Sequence, residues 1–340
     1  MDLVTPPPSA APVGLRAMAM VARAAQGGLV DTHRVLLDTA QRLLLRTELD
    51  IDMLSEVDAA TLAQHFDDPA LARQLIRGMI VMSLAVGPAA PAQIELIGRF
   101  AAELGVDEPA IRAIEHLARK EMVRFVLDLH RRSNLRDYID NQYRNQGGVF
   151  GVIKGLLEFK GVIHDDALAA RFKTLAELPD DTLGRCLFDH YDGNGFSFPG
   201  EAGGFPVGAV FHDVGHVLAG YDTSPEGELQ IASFQAGYRR TEHAFFTVLF
   251  AVLVHTAGVN VAPFPMPKHP GRIGEGDLAA RMLHALQRGS QMTVDLGDDW
   301  DFWQYAEVPL AQARQRLGVP PLGAEYRSGV GIYGPPIGRW

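Results

Sequence analysis

The sequence predicts an all-α protein of two helical domains, and three observations carry that expectation. Apolar residues recur at helical spacing through the first 145 residues. A capped helix-turn-helix is written into residues 212–228. At 340 residues the chain is long enough to give each of two domains its own core.

The elements follow in chain order. Residues 1 to about 28 are rich in Pro, Ala and Gly and read as a flexible lead-in. Periodicity then begins near Thr32 and continues through Leu36, Leu37, Ala40, Leu43 and Leu44 on one face. A second helix is expected over Pro69 to Met82, with Pro88 and Pro91 breaking the chain before Ile94 to Leu104 resumes the pattern. Asp107-Glu108-Pro109 opens another helix through Ile111, Ile114 and Leu117. Residues 29–145 form one expected helical domain, whose role is docking or dimerisation.

Residues 146–160 read as a linker or amphipathic segment. Val149 to Lys160 suits either a lipid interface with its lysines outward or a linker with an apolar anchor. Ala244 to Val254 is too short to span a bilayer, which takes about 20 apolar residues, and is expected to be a core helix. An alternative has its apolar face lining a groove for a lipid tail. The glycine-rich stretch Asp192 to Gly204 lacks the Gly-Lys-Ser/Thr ending of a phosphate loop and the glutamate of a calcium loop, which leaves a turn-rich approach to the next helix. Residues 323–340 form a Gly/Pro-rich tail.

His212-Asp213-Val214-Gly215-His216, with Glu228 following, gathers four metal-binding side chains within seventeen residues. On a helix, residues four apart are separated by one turn and about 40° of rotation, so both imidazoles leave one face with Asp213 on its flank. Gly220 suits a helix C-terminus, and either Thr223 with Glu226 or Ser224 before Pro225 suits the next N-terminus. A short turn makes the two helices antiparallel neighbours and returns Glu228 towards His216. Imidazoles with carboxylates suit a divalent ion, zinc, iron(II) or manganese(II), and the residues leave its identity open. The expected ligands are His212, His216 and Glu228, with Asp213 as fourth ligand or proton acceptor; Asp213 and Glu228 are the expected catalytic residues.

These residues match the HDxxH motif and its following Glu in the Coq4 proteins of ubiquinone (coenzyme Q) biosynthesis, and the chain resembles that family over roughly 160–320. Leu178-Pro179-Asp180-Asp181-Thr182-Leu183-Gly184-Arg185 is similar to the family's approach to the motif. Gln287-Arg288-Gly289-Ser290, Asp299 to Trp303 and Leu310 to Gly318 are similar to its closing region. The resemblance implies a helical metal-binding domain, here 161–322. It also implies a polyprenylated hydroxybenzoate substrate, loss of the ring carboxyl at C1 by an oxidative route, and partnership with other quinone-biosynthesis proteins. Around Arg77 to Ile80 and Leu104 to Asp107 the N-terminal half resembles TerB-type helical domains associated with tellurite resistance. Val86-Gly87-Pro88 replaces the acidic Asp-Gly turn of those domains, so no metal site is carried over there.

A formal net charge of -10 gives no support for nucleic-acid binding and weakens attraction to anionic lipid. Cys186 is the sole cysteine, expected as a buried structural thiol in a reducing compartment. Met1 to Pro8 lacks the basic region of a signal peptide, so a cytoplasmic location follows, with peripheral contact at the inner face of a membrane as the lipid substrate would require. Asp189 and His190 are expected at the surface, the alternative being the outer shell of the metal site, and Arg239 and Arg240 on a solvated helix face, the alternative being to neutralise a substrate carboxylate. Three rival roles remain open: a noncatalytic lipid scaffold with a structural metal, a paralogue acting on another lipid or secondary metabolite, as the added N-terminal helical half suggests, or a zinc-protease-like variant with Asp213 as base. Homo-oligomerisation is not readable from the sequence.

Overall fold

The computed structural model describes residues 3–131, 164–204, 207, 210–241, 243–259, 269–297 and 300–327. The described residues are helical, with no strand beyond one isolated antiparallel bridge between Thr182 and Pro309. The amphipathic segment expected over 146–160 and the end of the tail lie outside the described residues. Two compact units divide the chain. One draws its described residues from within Arg132–Ala244 and Ala285–Trp340, the other from within Asp2–Arg131 and Phe245–His284.

The second of these units begins with α1 (Ala11–Arg23). Composition places these residues in a flexible lead-in, yet Leu15, Ala17, Ala19 and Val21 are fully buried. The alanines explain the difference: small side chains at helical spacing let α1 pack closely against α4, α2, α3 and α5. Arg16 and Arg23 then pin the following loop, Arg16 donating to the carbonyls of Ser55 and Glu56 and Arg23 to that of Leu54.

α2 (Asp31–Ala40) continues as a π-turn over Gln41–Leu45 and stops at Arg46, whose φ of 52° closes the helix. α3 (Ala59–His65) precedes α4 (Pro69–Ser83), where Asp68 accepts from the amides of Ala70 and Leu71 and Pro69 fills a position whose N–H would have had no partner. α5 (Pro91–Glu103), α6 (Pro109–Ala118) and α7 (Met122–Arg131) follow. Arg77 on α4 donates to buried Glu108 at 2.7 Å. α12 (Ala244–His255) belongs here as a core helix, buried along most of Ala244 to Val254. Among the described residues no helix is long and apolar enough to cross a membrane.

The other unit holds the motif. After α8 (Asp166–Lys173), α9 (Leu183–Asn194) starts at Thr182, whose hydroxyl accepts from the Arg185 amide. Gly184 is required by close approach: a Cβ there would lie 2.8 Å from the Ala306 carbonyl, to which its own amide donates at 2.8 Å. α10 (Val210–Ala219) packs on α9, α11 (Pro225–Tyr238) packs on α10, and α14 (Leu310–Leu317) closes over α9 and α10. The core between them contains Leu187, Tyr191, Val214, Val217, Ile231, Phe234 and Leu317.

Two buried arginines finish the C-terminal end of α10. Arg314 of α14 donates to the carbonyls of Val217 and Leu218 at 3.0 and 2.9 Å. Arg288, near the end of α13 (Leu278–Ser290), donates to the Ala219 carbonyl at 3.1 Å and to the Tyr221 hydroxyl at 2.6 Å. Helix-terminal carbonyls lack intrahelical partners and carry partial negative charge, so a guanidinium answers both needs. Burial, with repulsion from Arg288, brings Arg314 down to about 10.

Candidate metal centre

α10 presents His212 and His216 from one face, and their Nε2 atoms lie 3.3 Å apart. Gly220, with φ 78°, ends the helix and its amide donates to the His216 carbonyl at 2.8 Å. Asp222 accepts from the amide and hydroxyl of Ser224, and Ser224 in turn caps α11 by accepting from the Gly227 amide at 3.1 Å. Of the two N-caps open in the sequence, Ser224 is the one formed. Gly227 is forced here because a Cβ would stand 2.1 Å from the Asp222 carbonyl oxygen. The tight turn brings Glu228 back, with Oε2 3.3 Å from His212 Nε2 and Oε1 3.4 Å from His216 Nε2.

The outer nitrogens of both rings are occupied. His216 Nδ1 donates to the Tyr221 carbonyl at 3.2 Å, and His212 Nδ1 meets Gln235 Oε1 at 3.4 Å. A carbonyl oxygen only accepts, so both Nδ1 atoms carry the proton when the rings are neutral. Both Nε2 lone pairs then face each other and the carboxylate, an arrangement of acceptors that needs a cation. Ligands about 2.0–2.1 Å from zinc at tetrahedral angles stand roughly 3.3–3.4 Å apart, which the separation of the two Nε2 atoms matches, while Glu228 turns a different oxygen to each ring. Among the described residues His212, His216 and Glu228 form the group able to hold a metal ion. His216 is buried, whereas His212 and Glu228 are each 30% exposed, so the centre has one open side.

Without a metal the cluster holds its charge by proton sharing. Burial opposes protonation of His212, but its hydrogen bond and attraction to Glu228, helped by Asp213 and Gln235, raise it to about 9. Burial pushes Glu228 up; the charge of His216 and the hydrogen bonds from both histidines outweigh it and hold the carboxyl well below the usual range.

Asp213 does not join the three ligands. Its buried carboxylate accepts from the Tyr191 hydroxyl on α9 at 2.5 Å, facing the core between α9 and α10. Burial raises the Asp213 carboxyl; burial and the Asp213 charge raise the Tyr191 phenol well above its ordinary value. The flank position read from helical geometry therefore places Asp213 beside the centre, with an aromatic hydroxyl as its partner.

His190 is the second departure. Expected at the surface, it is only 3% exposed and its ring stacks on that of His216, centroids 5.4 Å apart and planes 22° apart. Phe196 meets it edge-on. Burial first, then the neighbouring His216 and His212, bring His190 down to about 3, so it is neutral. Asp189 pairs with Arg185 at 2.9 Å. Arg239 is fully buried, 5.7 Å from the Phe211 ring centroid, in place of the solvated position expected; Arg240 donates to the Gly237 and Met292 carbonyls. Cys186 is partly buried, and burial pushes its thiol up, in keeping with a structural role.

Tyr191 and Gln235 reach the motif from neighbouring helices, and the Tyr221 carbonyl, though only five residues from His216, is backbone and leaves no mark in the residue type. Asn or Gln one helical face from a histidine pair is the one pattern that could have suggested Gln235.

No protein-family model matches the chain, and no curated protein matches it. Among solved structures, a crystal structure of a "putative ubiquinone biosynthesis protein" from Nostoc punctiforme PCC 73102 is similar at 19% identity. It covers 63% of this chain and 98% of its own, with a TM-score of 0.35.

Proposed function

We propose that the protein is a metal-dependent, Coq4-like protein of ubiquinone biosynthesis that removes the C1 carboxyl of a polyprenylated 4-hydroxybenzoate intermediate. The observation that carries this reading is the convergence of His212, His216 and Glu228, the motif residues of that resemblance, on one point with their lone pairs inward.

His212, His216 and Glu228 would hold a divalent ion, which would supply Lewis acidity toward a phenolate or carboxylate oxygen of the substrate. The chain's own residues do the rest. Tyr221 and Gln235 fix the ring orientations through Nδ1, which keeps Nε2 available. Tyr191 and Asp213 hold a proton between Oη and Oδ2 beside the centre, where it can balance charge as the carboxyl departs. Simple decarboxylation replaces the carboxyl with a proton. The oxidative version replaces it with hydroxyl, a two-electron oxidation that takes its oxygen either from water with a two-electron acceptor or from dioxygen with a two-electron reductant.

The test is complementation. In cells lacking their own Coq4 protein, the wild-type chain should restore ubiquinone and clear carboxylated precursors, and Glu228→Ala should do neither. Precursors that persist with a folded, metal-loaded wild-type protein would reject the activity. Metal analysis of His212→Ala and Glu228→Ala tests the ligand set separately: full occupancy in both would reject it. Three protein ligands among the described residues favour a reacting centre over the scaffold alternative, since structural zinc sites fill all four positions with protein side chains.

A further inference from the structure

The geometry points to His190 as the hydrogen-bonding partner of the oxygen ligand that completes the centre, whether water or a substrate oxygen. This rests on the metal reading above and adds a residue that the HDxxH motif does not contain.

His190 is buried, and neither ring nitrogen has a hydrogen-bond partner among the described residues. A neutral imidazole carries one donor and one acceptor, and burying both unpaired is unfavourable. Its ring stacks on that of His216, centroids 5.4 Å apart, which places it against the ligand cluster. The polar side chains on that side are His216 itself, with His212 and Glu228 against it.

None of these can satisfy it. Both ligand histidines commit Nδ1 to Gln235 and Tyr221 and turn Nε2 to the centre, and Glu228 divides its two oxygens between them. His190 itself stands outside the set of atoms close enough to share one ion. The remaining polar partner is a molecule bound at the open position. Phe196 and Tyr191, packed edge-on to the ring, hold it in place.

Cobalt(II) substitution tests this without turnover, because its visible bands report both loading and ligand exchange. Acetate and 4-hydroxybenzoate serve as oxygen-donor probes, titrated into wild type, His190→Phe and His190→Gln. Phenylalanine keeps the stack and removes the nitrogens; glutamine restores a donor and an acceptor. All three proteins should hold cobalt within threefold of each other against a chelator. The probe Kd should rise tenfold or more in His190→Phe and return to within threefold in His190→Gln.

Equal probe binding in wild type and His190→Phe would overturn the role. So would a hundredfold loss of cobalt from His190→Phe with unchanged thermal stability, which would make His190 a direct ligand. Wild type that holds cobalt but answers neither probe also overturns it, since no exchangeable position exists. Wild type that answers acetate but not 4-hydroxybenzoate supports His190 if the acetate comparison follows the expected order, and rejects only the proposed substrate class. Wild type that binds no cobalt rejects the metal centre itself.

Discussion

His216 Nδ1 donates to the carbonyl of Tyr221, five residues along the chain and just past the helix end, at 3.2 Å. The turn that ends α10 therefore also sets the tautomer of its buried ligand. Gln235, one helix away, does the same for His212 at 3.4 Å. Outer partners of metal-binding histidines are worth about 10–100-fold in metal affinity. Gln235→Leu is expected to weaken zinc binding by that factor while leaving the fold intact, measured by chelator competition alongside thermal melting. Affinity equal to wild type would show that Gln235 does not orient the ring.

The charged His212–Glu228 pair makes the metal-free protein pH-sensitive. The folded His212 value of about 9 lies above its unfolded value, so the pair stabilises fully below about pH 6.5 and the contribution is lost as pH rises to 9. After allowance for solvent screening this amounts to about 2 kcal/mol. Zinc affinity should move the other way, rising up to about pH 9 as His212 gives up its proton. Denaturation midpoints at pH 6, 7.5 and 9, with chelator and with zinc, check both directions. In Glu228→Gln the metal-free slope should flatten.

Gly227 and Gly215 should respond differently to the same added methyl. At Gly227 a Cβ meets the Asp222 carbonyl oxygen at 2.1 Å, and backbone cannot yield cheaply. At Gly215 the nearest atom is the Cδ1 of Ile231 at 3.0 Å, the far end of a flexible side chain. Gly227→Ala is expected to cost about 2–3 kcal/mol and to displace Glu228, with loss of metal. Gly215→Ala should stay within about 1 kcal/mol of wild type, because the helix propensity gained offsets the crowding. Urea unfolding and zinc content measured on both variants decide it.

Arg314→Leu should destabilise the motif-bearing unit by about 3 kcal/mol. It strands two carbonyls at the end of α10 that accept from a charged donor, each such bond being worth about 1.5–3 kcal/mol. A denaturation midpoint unchanged from wild type would show that water satisfies those carbonyls instead.

The helical class, the span of α4 and the grouping of His212, His216 and Glu228 were legible because they are local. His212 and His216 are one turn apart, and Gly220 with Ser224-Pro225 encodes the return of Glu228. What was not legible depends on distant partners. Tyr191 reaches Asp213 across 22 residues, and Arg314 reaches the end of α10 across 96 and 97. His190 and Arg239 carry polar character that argues for the surface, and only tertiary packing buries them. Similarly, the composition of residues 1–28 suggests a loose tail, but the small residues of α1 are what a tightly packed helix needs.

The guanidinium groups that finish α10 have a consequence for anyone moving this centre elsewhere. Residues 212–228 contain every proposed ligand, yet the carbonyls that end their first helix are satisfied from residues 288 and 314. A graft of the motif into a foreign bundle would carry the donor atoms but not the anchors that set the pitch of the last turn. The unit of transfer is therefore the whole stretch through residue 320, whose carbonyl holds Arg288 in place.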